Sequence, residues 1–265
     1  MQRPEGVRLA AEALSFEILC EIEPATGPDL TRVRRQIAVL TGTVEKFLVP
    51  DNHLGRATVS SIAVAQEVAA LGGTAVACVN SRDRNLLGFR RDLLTAAAYG
   101  VDEFLFVRGD DPTVGTRSTD LTVRRMIEEA HAYVERDFKV GATLRCGGLV
   151  PAWKQAADFL LVQVNYDVDA LIRWRESVRY DGRLLAGVMV MASADMARRI
   201  SADVPEINVP PELIDALESD RDAGVDVAAE QVERIRDSGA FDGVHLVPVG
   251  RYTQMATKLR AARRH

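Results

Sequence analysis

Eight short, almost continuously apolar runs alternate along this chain with longer amphipathic segments. In chain order the runs are FEILCEIE (16–23), KFLV (46–49), TAVACV (74–79), EFLFV (103–107), VGATL (140–144), FLLVQV (159–164), LLAGVMVM (184–191) and GVHLVPV (243–249). Apolar runs without polar alternation are typical of strands that are covered on both faces, as they are in a parallel sheet. Between the runs, apolar residues recur at spacings of three and four, as in helices packed on a sheet; examples are 29–40, 56–71, 121–136 and 167–178.

Eight strands alternating with helices in 265 residues predict an α/β fold, a single-domain (β/α)8 TIM barrel over residues 1–265. The competing architecture is a doubly wound open sheet. No GxGxxG motif follows the first strand, so a Rossmann dinucleotide site has no support. A further helical stretch at 209–237 predicts extra helices between strands seven and eight, and Gly72–Gly73 and Gly100 stand where two helices are expected to end.

Composition excludes several classes of partner. The net charge of −5 provides no basic field for nucleic acid or for an anionic membrane. Cys20, Cys78 and Cys146 are far apart and form no CxxC pair, which indicates a reducing compartment and no structural zinc or other metal site. The N-terminus lacks the apolar core of a signal peptide, and no run of about 18 apolar residues occurs. We therefore expect a cytoplasmic protein.

Polar side chains concentrate at one end of the predicted strands. In a barrel of this type the carboxyl ends of the strands and the loops after them form the active site. The residues at these ends are Glu21 and Glu23, Asp51 to His53, Asn80 to Asn85, Arg108, Asp110 and Asp111, Arg145 and Cys146, Gln163 and Asn165, and His245 and Arg251.

Among these residues, Glu21 is the most informative, because an unpaired carboxylate inside an apolar strand is costly. The carboxylate must pair with another group, be protonated or bind a ligand. Alternate residues of a strand point to the same side, so Glu17 and Glu23 point the same way as Glu21. The sequence therefore leaves open which of the three carboxylates faces the mouth of the barrel, that is, the end formed by the carboxyl ends of the strands. The stretch RGDDP (108–112) also fits an ordinary turn, and His53 and His245 are interpreted as loop or supporting residues rather than as catalysts.

Three segments resemble the methylenetetrahydrofolate reductase family: CEIEP (20–24), the block from Asn80 to Pro112 that ends in FLFVRGDDP, and LLVQVNYDVDALIRW (160–174). The resemblance follows the chain in order, and the eight predicted strands fit that family's barrel. It implies reduction of 5,10-methylenetetrahydrofolate to 5-methyltetrahydrofolate by NADH or NADPH, usually through bound FAD. This reaction belongs to one-carbon metabolism and methionine biosynthesis.

The resemblance also implies three site residues. Glu21 matches the family's glutamate that protonates the folate, Asp110 matches the aspartate that meets the pterin, and Gln163 matches a pterin-contacting glutamine. Their chemistry suits these roles. Opening the methylene bridge to an iminium requires the aminobenzoyl nitrogen to receive a proton. A carboxylate and an amide together complement the donors and the acceptor along the pterin edge.

The family's flavin positions do not match this sequence. Pro50 stands where the family usually has a threonine, Cys78 replaces a histidine, and Arg117-Ser118 replace a tyrosine–alanine pair. The loop after strand five, LRCGGLVPAW, is shorter than the family's. We therefore expect that FAD is not held tightly and that hydride passes directly from NADH or NADPH to the folate iminium. The expected dinucleotide-binding residues are Arg82, Arg84, Arg108 and Arg117.

Three alternatives remain beside this prediction. One is a conventional FAD-dependent reductase with an unusual flavin site, and another is a catalytically silent, folate-binding accessory subunit. The third is an aldolase, which needs a Schiff-base lysine at a strand end; Lys46, Lys139 and Lys154 are poorly placed for that role.

Overall fold

The computed structural model describes residues 16–263, and eight parallel strands form a closed barrel in chain order. The strands are β1 (Glu17–Glu21), β2 (Lys46–Val49), β3 (Ala75–Asn80), β4 (Glu103–Val107), β5 (Lys139–Leu144), β6 (Phe159–Val162), β7 (Arg183–Met189) and β8 (Gly243–Val247). Each of the eight predicted runs contains or overlaps one strand, so the predicted (β/α)8 fold is confirmed. The predicted domain ends at 1 and 265 and the N-terminal segment lie outside the described residues.

Nine α-helices surround the barrel within the described part of the chain. They are α1 (Thr31–Leu40), α2 (Ser61–Ala70), α3 (Leu86–Tyr99), α4 (Val123–His131), α5 (Val168–Ser177), α6 (Ala194–Asp203), α7 (Pro211–Ser219), α8 (Ala223–Ser238) and α9 (Tyr252–Ala262). Three of them, α6 to α8, connect β7 to β8, and α7 and α8 coincide with the predicted extra helical stretch at 209–237. Helix α3 begins after Asn85, whose side chain accepts a hydrogen bond from the backbone of Gly88, and ends at Gly100 with φ +69°.

Strand register decides which side chains enter the barrel. The barrel closes where β1 pairs with β8, with Leu19 opposite His245. Alternate residues of each strand point inward, and eight buried inward side chains fill the interior: Leu19, Leu48, Val76, Cys78, Leu105, Phe159, Leu161 and Leu185. Because this layer is packed, a ligand can approach the barrel axis only from an open end of the barrel.

The amino-terminal end of the barrel is closed by charged residues that pair with one another. Lys46 Nζ lies 2.6 Å from a carboxylate oxygen of Glu103 and 3.3 Å from one of Glu17, and Arg183 lies 2.9 Å from Glu17. Glu17 is therefore a structural residue at the end opposite the predicted mouth. Lys46 and Lys139 are the first residues of β2 and β5, and so lie at this end as well.

Candidate functional site

The main cavity has a volume of about 920 Å³ and opens at the carboxyl ends of the strands. This volume is large enough for a cofactor-sized molecule. Its wall includes the three residues that the resemblance singles out: Glu21 from β1, Asp110 after β4 and Gln163 after β6. Arg108 lines it too, while Leu105 and other apolar side chains form much of the remaining surface. The structure thus brings the predicted proton donor and both predicted pterin contacts to one space.

Glu21 is the inward-facing carboxylate on the β1 side of this cavity. Its side chain is 20% exposed, and its Oε2 lies 3.2 Å from Nε2 of His245 on the neighbouring β8. Glu23, by contrast, pairs with Arg32 on the rim. The structure therefore resolves the ambiguity among Glu17, Glu21 and Glu23 in favour of Glu21.

Cys78 belongs to the packed interior layer of the barrel. Burial raises the pKa of its thiol and so keeps that side chain uncharged.

Asp110 is carried by a tight turn that follows β4. Gly109 has φ +80°, and a Cβ there would come within 3.1 Å of Asn80 Cβ, so this position favours glycine. The backbone oxygen of Asp110 accepts a 2.6 Å hydrogen bond from Arg82. The Asp110 carboxylate accepts no hydrogen bond from residues 16–263 and is free to accept hydrogen bonds from a ligand.

Arg82 and Arg84 hold the loops of the site together. Arg82 is 1% exposed and donates to both carboxylate oxygens of Asp83 at 2.6 Å, to Asp110 O and to Asn52 O. This pairing lowers the pKa of Asp83 to about 2. Arg84 donates to Asp51 and Asp92, each at 2.6 Å. Both guanidinium groups are thus engaged by the protein, and the structure does not bring them to the surface of the main cavity.

Arg108 and Arg117 lie instead beside a second cavity of about 700 Å³, which adjoins the first because Arg108 and Thr143 line both. Arg117 donates to Asp111 Oδ1 at 2.8 Å and to Gly109 O at 3.2 Å. The first turn of α4 forms another part of the wall.

Sequence reasoning did not predict three residues that also line this second cavity: Arg124, Trp153 and Lys154. The Lys154 ammonium donates to Thr143 O at 2.6 Å and lies 5.2 Å from the centre of the Trp153 ring. Burial lowers its pKa. No local motif marks these residues, since they come from the segments before β6 and after β4 and meet only in the folded chain.

Gln163 lies immediately after β6, where its backbone N–H donates to Leu144 O at 2.8 Å. Its exposed side chain forms no hydrogen bond with the described residues. It lines both the main cavity and a side recess of about 350 Å³, whose wall also includes Arg145, Asn165 and Asn208. The amide is therefore available to donate to and accept from a ligand.

Two of the flavin positions that the resemblance implies, Pro50 and Cys78, offer little for hydrogen bonding. Pro50 lines the main cavity but has neither a backbone N–H nor a polar side chain. The Cys78 side chain belongs to the packed interior layer and its residue is only 7% exposed. Two of the positions at which the family contacts its flavin therefore present no strong hydrogen-bond donor here.

Two general features of the described residues bear on ligands and location. Residues 16–263 contain no group of three or more His, Cys, Asp or Glu side chains arranged to hold a metal ion. None of the helices in this range is both long enough and apolar enough to cross a membrane.

Comparison with known proteins agrees with the sequence resemblance. Residues 150–260 match the family model for methylenetetrahydrofolate reductase, which confirms the resemblance to that family over this part of the chain. The match includes Gln163 and His245. No curated protein matches the sequence.

Solved structures share the barrel at low sequence identity. A protein from Clostridium thermocellum that binds two copies of 5-methyl-5,6,7,8-tetrahydrofolic acid is 12% identical, with a TM-score of 0.62 over 95% of this chain and 96% of that chain. The spore cortex-lytic enzyme SleL from Bacillus cereus is also 12% identical, with a TM-score of 0.58 over 93% of this chain and 74% of that chain. At such identities these similarities establish the fold alone.

Proposed function

We propose that this protein reduces 5,10-methylenetetrahydrofolate to 5-methyltetrahydrofolate, with NADH or NADPH as the direct hydride donor and without tightly bound FAD. The observation that carries the proposal is the convergence of Glu21, Asp110 and Gln163 on one cavity. The family match over residues 150–260 supports a folate-related reductase role. The similar fold of a 5-methyltetrahydrofolate-binding protein is consistent with that role.

In the proposed reaction Glu21 acts as the general acid. The bond between the bridge carbon and the aminobenzoyl nitrogen breaks, that nitrogen takes the proton from Glu21, and the bridge carbon becomes an iminium on the pterin nitrogen. Hydride from the nicotinamide ring then reduces the iminium to a methyl group. The products are 5-methyltetrahydrofolate and NAD(P)⁺, and Glu21 regains its proton from solvent.

Asp110 and Gln163 are proposed to hold the pterin. Both side chains face the cavity without a hydrogen-bond partner among the described residues. The carboxylate of Asp110 can accept from the N–H groups of the pterin edge, and the amide of Gln163 can donate to its carbonyl and accept from a neighbouring N–H. Arg82 keeps Asp110 in place by holding the backbone oxygen of that residue.

The second cavity is proposed to hold the phosphates of the dinucleotide. Of the four arginines expected for this role, Arg108 and Arg117 line the cavity, together with Arg124 and Lys154. Guanidinium groups suit phosphate because their fork of donors matches two oxygens at once. Because the cavity adjoins the folate cavity at Arg108, a dinucleotide bound there can extend its nicotinamide toward the bridge carbon.

The direct test uses NADH that carries deuterium on the transferred position, with 5,10-methylenetetrahydrofolate and freshly purified protein. We expect a methyl group that contains one deuterium, and no solvent deuterium when unlabelled NADH is used in heavy water. Formation of no 5-methyltetrahydrofolate from either NADH or NADPH would favour the silent folate-binding alternative. A yellow preparation that requires FAD for activity would favour the conventional flavoenzyme.

A further inference from the structure

His245 is in direct contact with the carboxyl group that the proposed reaction uses. Its Nε2 lies 3.2 Å from Oε2 of Glu21, and the two side chains are 15% and 20% exposed. In the register of the closed barrel, His245 is opposite Leu19, and Glu21 lies two residues further along β1 on the same inward face. His245 therefore lies at the level of Leu19, which belongs to the packed apolar layer, and lines the main cavity together with Glu21.

The contact is asymmetric with respect to the two oxygens of Glu21. His245 contacts Oε2, whereas no residue of the described chain donates to Oε1. A neutral imidazole donates through one ring nitrogen only, so a proton on Nε2 makes His245 the donor and Oε2 the acceptor. In a protonated carboxyl group, the oxygen that accepts is the carbonyl oxygen, and the acidic proton then resides on the other one. With His245 in this tautomer, a proton carried by Glu21 resides on Oε1.

We propose that His245 is a positioning residue for the reductase reaction, an inference that rests on the proposed function. In the Nε2–H tautomer it holds Glu21 by Oε2, and so keeps the proton on the free oxygen that can face the substrate. After that proton has passed to the aminobenzoyl nitrogen, the same hydrogen bond stabilises the carboxylate that remains. His245 itself acts through Glu21 and has no contact with the reacting atoms in this mechanism.

A double-mutant cycle tests this role. We expect His245→Leu to lower kcat about 10-fold with little change in the Kd of folate, and His245→Gln, whose amide can still donate to Oε2, to stay within about 3-fold of wild type. In the Glu21→Gln background, adding His245→Leu should lower kcat by less than about 2-fold, because the residue to be positioned is already inactive. A further loss of about 10-fold in that background would show that His245 acts independently of Glu21 and would contradict the proposal.

His131 supplies a matched control. Its Nε2 also lies 3.2 Å from a carboxylate oxygen, that of Asp158, but this pair joins the end of α4 to the start of β6 and lines neither the main nor the second cavity. His131→Leu therefore removes a histidine–carboxylate contact of the same length outside the site. We expect it to leave kcat unchanged. A loss as large as that of His245→Leu would reveal a general structural effect instead.

Imidazole NMR separates this proposal from the proposed function. In the wild-type protein we expect His245 as the Nε2–H tautomer, with nitrogen shifts that change on Glu21→Gln. An active enzyme with the Nδ1–H tautomer would overturn the positioning role alone. A wild-type protein without reductase activity would overturn the proposed function, whatever the tautomer, and the catalytic role of His245 with it.

Discussion

Glu21 differs from Glu23 and Asp51, two other acids near the carboxyl ends of the strands, in its polar contacts. Glu23 pairs with Arg32 and Asp51 pairs with Arg84, so each carboxylate has a cationic partner. The side chain of Glu21 contacts only His245 among the polar groups of the described residues, and it faces a cavity with largely apolar walls. This position fits the proposed role of Glu21 as the group that passes a proton to the substrate.

Replacing Glu21 with Gln should lower turnover by at least about 100-fold, since the amide retains size and hydrogen bonding but cannot supply a proton. Folate binding should be largely retained. Steady-state kcat and equilibrium folate titration measure the two effects separately. If the Glu21→Gln protein turns over at nearly the wild-type rate, the proton comes from Glu23 or water.

Asp110→Ala and Gln163→Ala should each weaken folate binding by about 1–3 kcal/mol, because each change leaves pterin polar groups without a partner. Titration with 5-methyltetrahydrofolate measures the loss. Gln66→Ala is the control, since Gln66 donates to Tyr99 O on the outer side of the barrel. Unchanged affinity in both site variants would refute the pterin assignment.

At the level of elements, the loops after β2, β3 and β4 form one cross-linked unit. Arg82, in the loop after β3, donates to Asn52 O and Asp110 O, which belong to the loops on either side. Thr113, further along the loop after β4, donates through its backbone and hydroxyl to Gly55 O at 3.0 and 2.8 Å. These contacts explain how an exposed turn can hold Asp110 in a defined place.

The Arg82–Asp83 pair should make stability depend on acid pH. The folded-state pKa of Asp83 is about 2, below its ordinary value of 3.8, so the stabilisation is fully present above about pH 4 and is lost as pH falls toward about 2. Arg82→Met should lower the free energy of unfolding by about 1 kcal/mol at neutral pH and make the loss of stability at acid pH smaller. Part of the shift remains, because Asn52 and Asn80 also lower the pKa of Asp83. Urea unfolding at several pH values measures both, with Arg125→Met as an exposed control. If Arg82→Met loses as much stability at acid pH as the wild-type protein does, the Arg82–Asp83 pair is not the source of that loss.

The walls of the second cavity lead to a separate prediction about the reductant. Arg117→Met should raise the KM for NADH or NADPH about 10-fold, the loss expected for one charge-assisted hydrogen bond, and leave the Kd of folate unchanged. Arg125→Met is again the matched control, because Arg125 lies on α4 but pairs with Glu129 outside the cavity. Equal effects of the two changes would indicate a general effect of charge rather than a phosphate contact.

At the level of the whole molecule, the barrel formed by residues 16–263 offers access from one end only. Its interior is packed with apolar side chains and its amino-terminal end is closed by ion pairs. In the proposed reaction, folate and dinucleotide therefore both enter at the carboxyl ends of the strands, where the two cavities share Arg108 and Thr143 as lining residues. This arrangement can accommodate both substrates together.

Simultaneous binding predicts intersecting double-reciprocal lines when folate and NADH or NADPH are varied. A bound flavin would store the hydride between the two substrates and give parallel lines, the pattern of a ping-pong mechanism. We also expect colourless purified protein whose activity does not rise on addition of FAD. Parallel lines, or the visible absorption of a flavin, would mean that the altered loops still hold FAD.

The strand and helix pattern was sufficient to predict the barrel. The apolar runs are local and long enough to specify strands, and β2 and β4 begin and end at the predicted residues. The extra helices before β8 were also visible as a local periodicity. The roles of Glu21, Asp110 and Gln163 stay predictions, although their shared location at the mouth follows from strand direction alone.

Only the tertiary structure decided which polar groups are free and which are engaged. The sequence does not distinguish Arg82, Arg84, Arg108 and Arg117. In the structure, contacts between loops hold Arg82 and Arg84 away from the cavities, whereas Arg108 and Arg117 line the second cavity, where Arg117 also pairs with Asp111. The contact between Glu21 and His245 likewise joins residues 224 positions apart, and exists because the last strand closes on the first. A sequence specifies local periodicity directly, whereas pairings between distant residues depend on how the strands and loops pack.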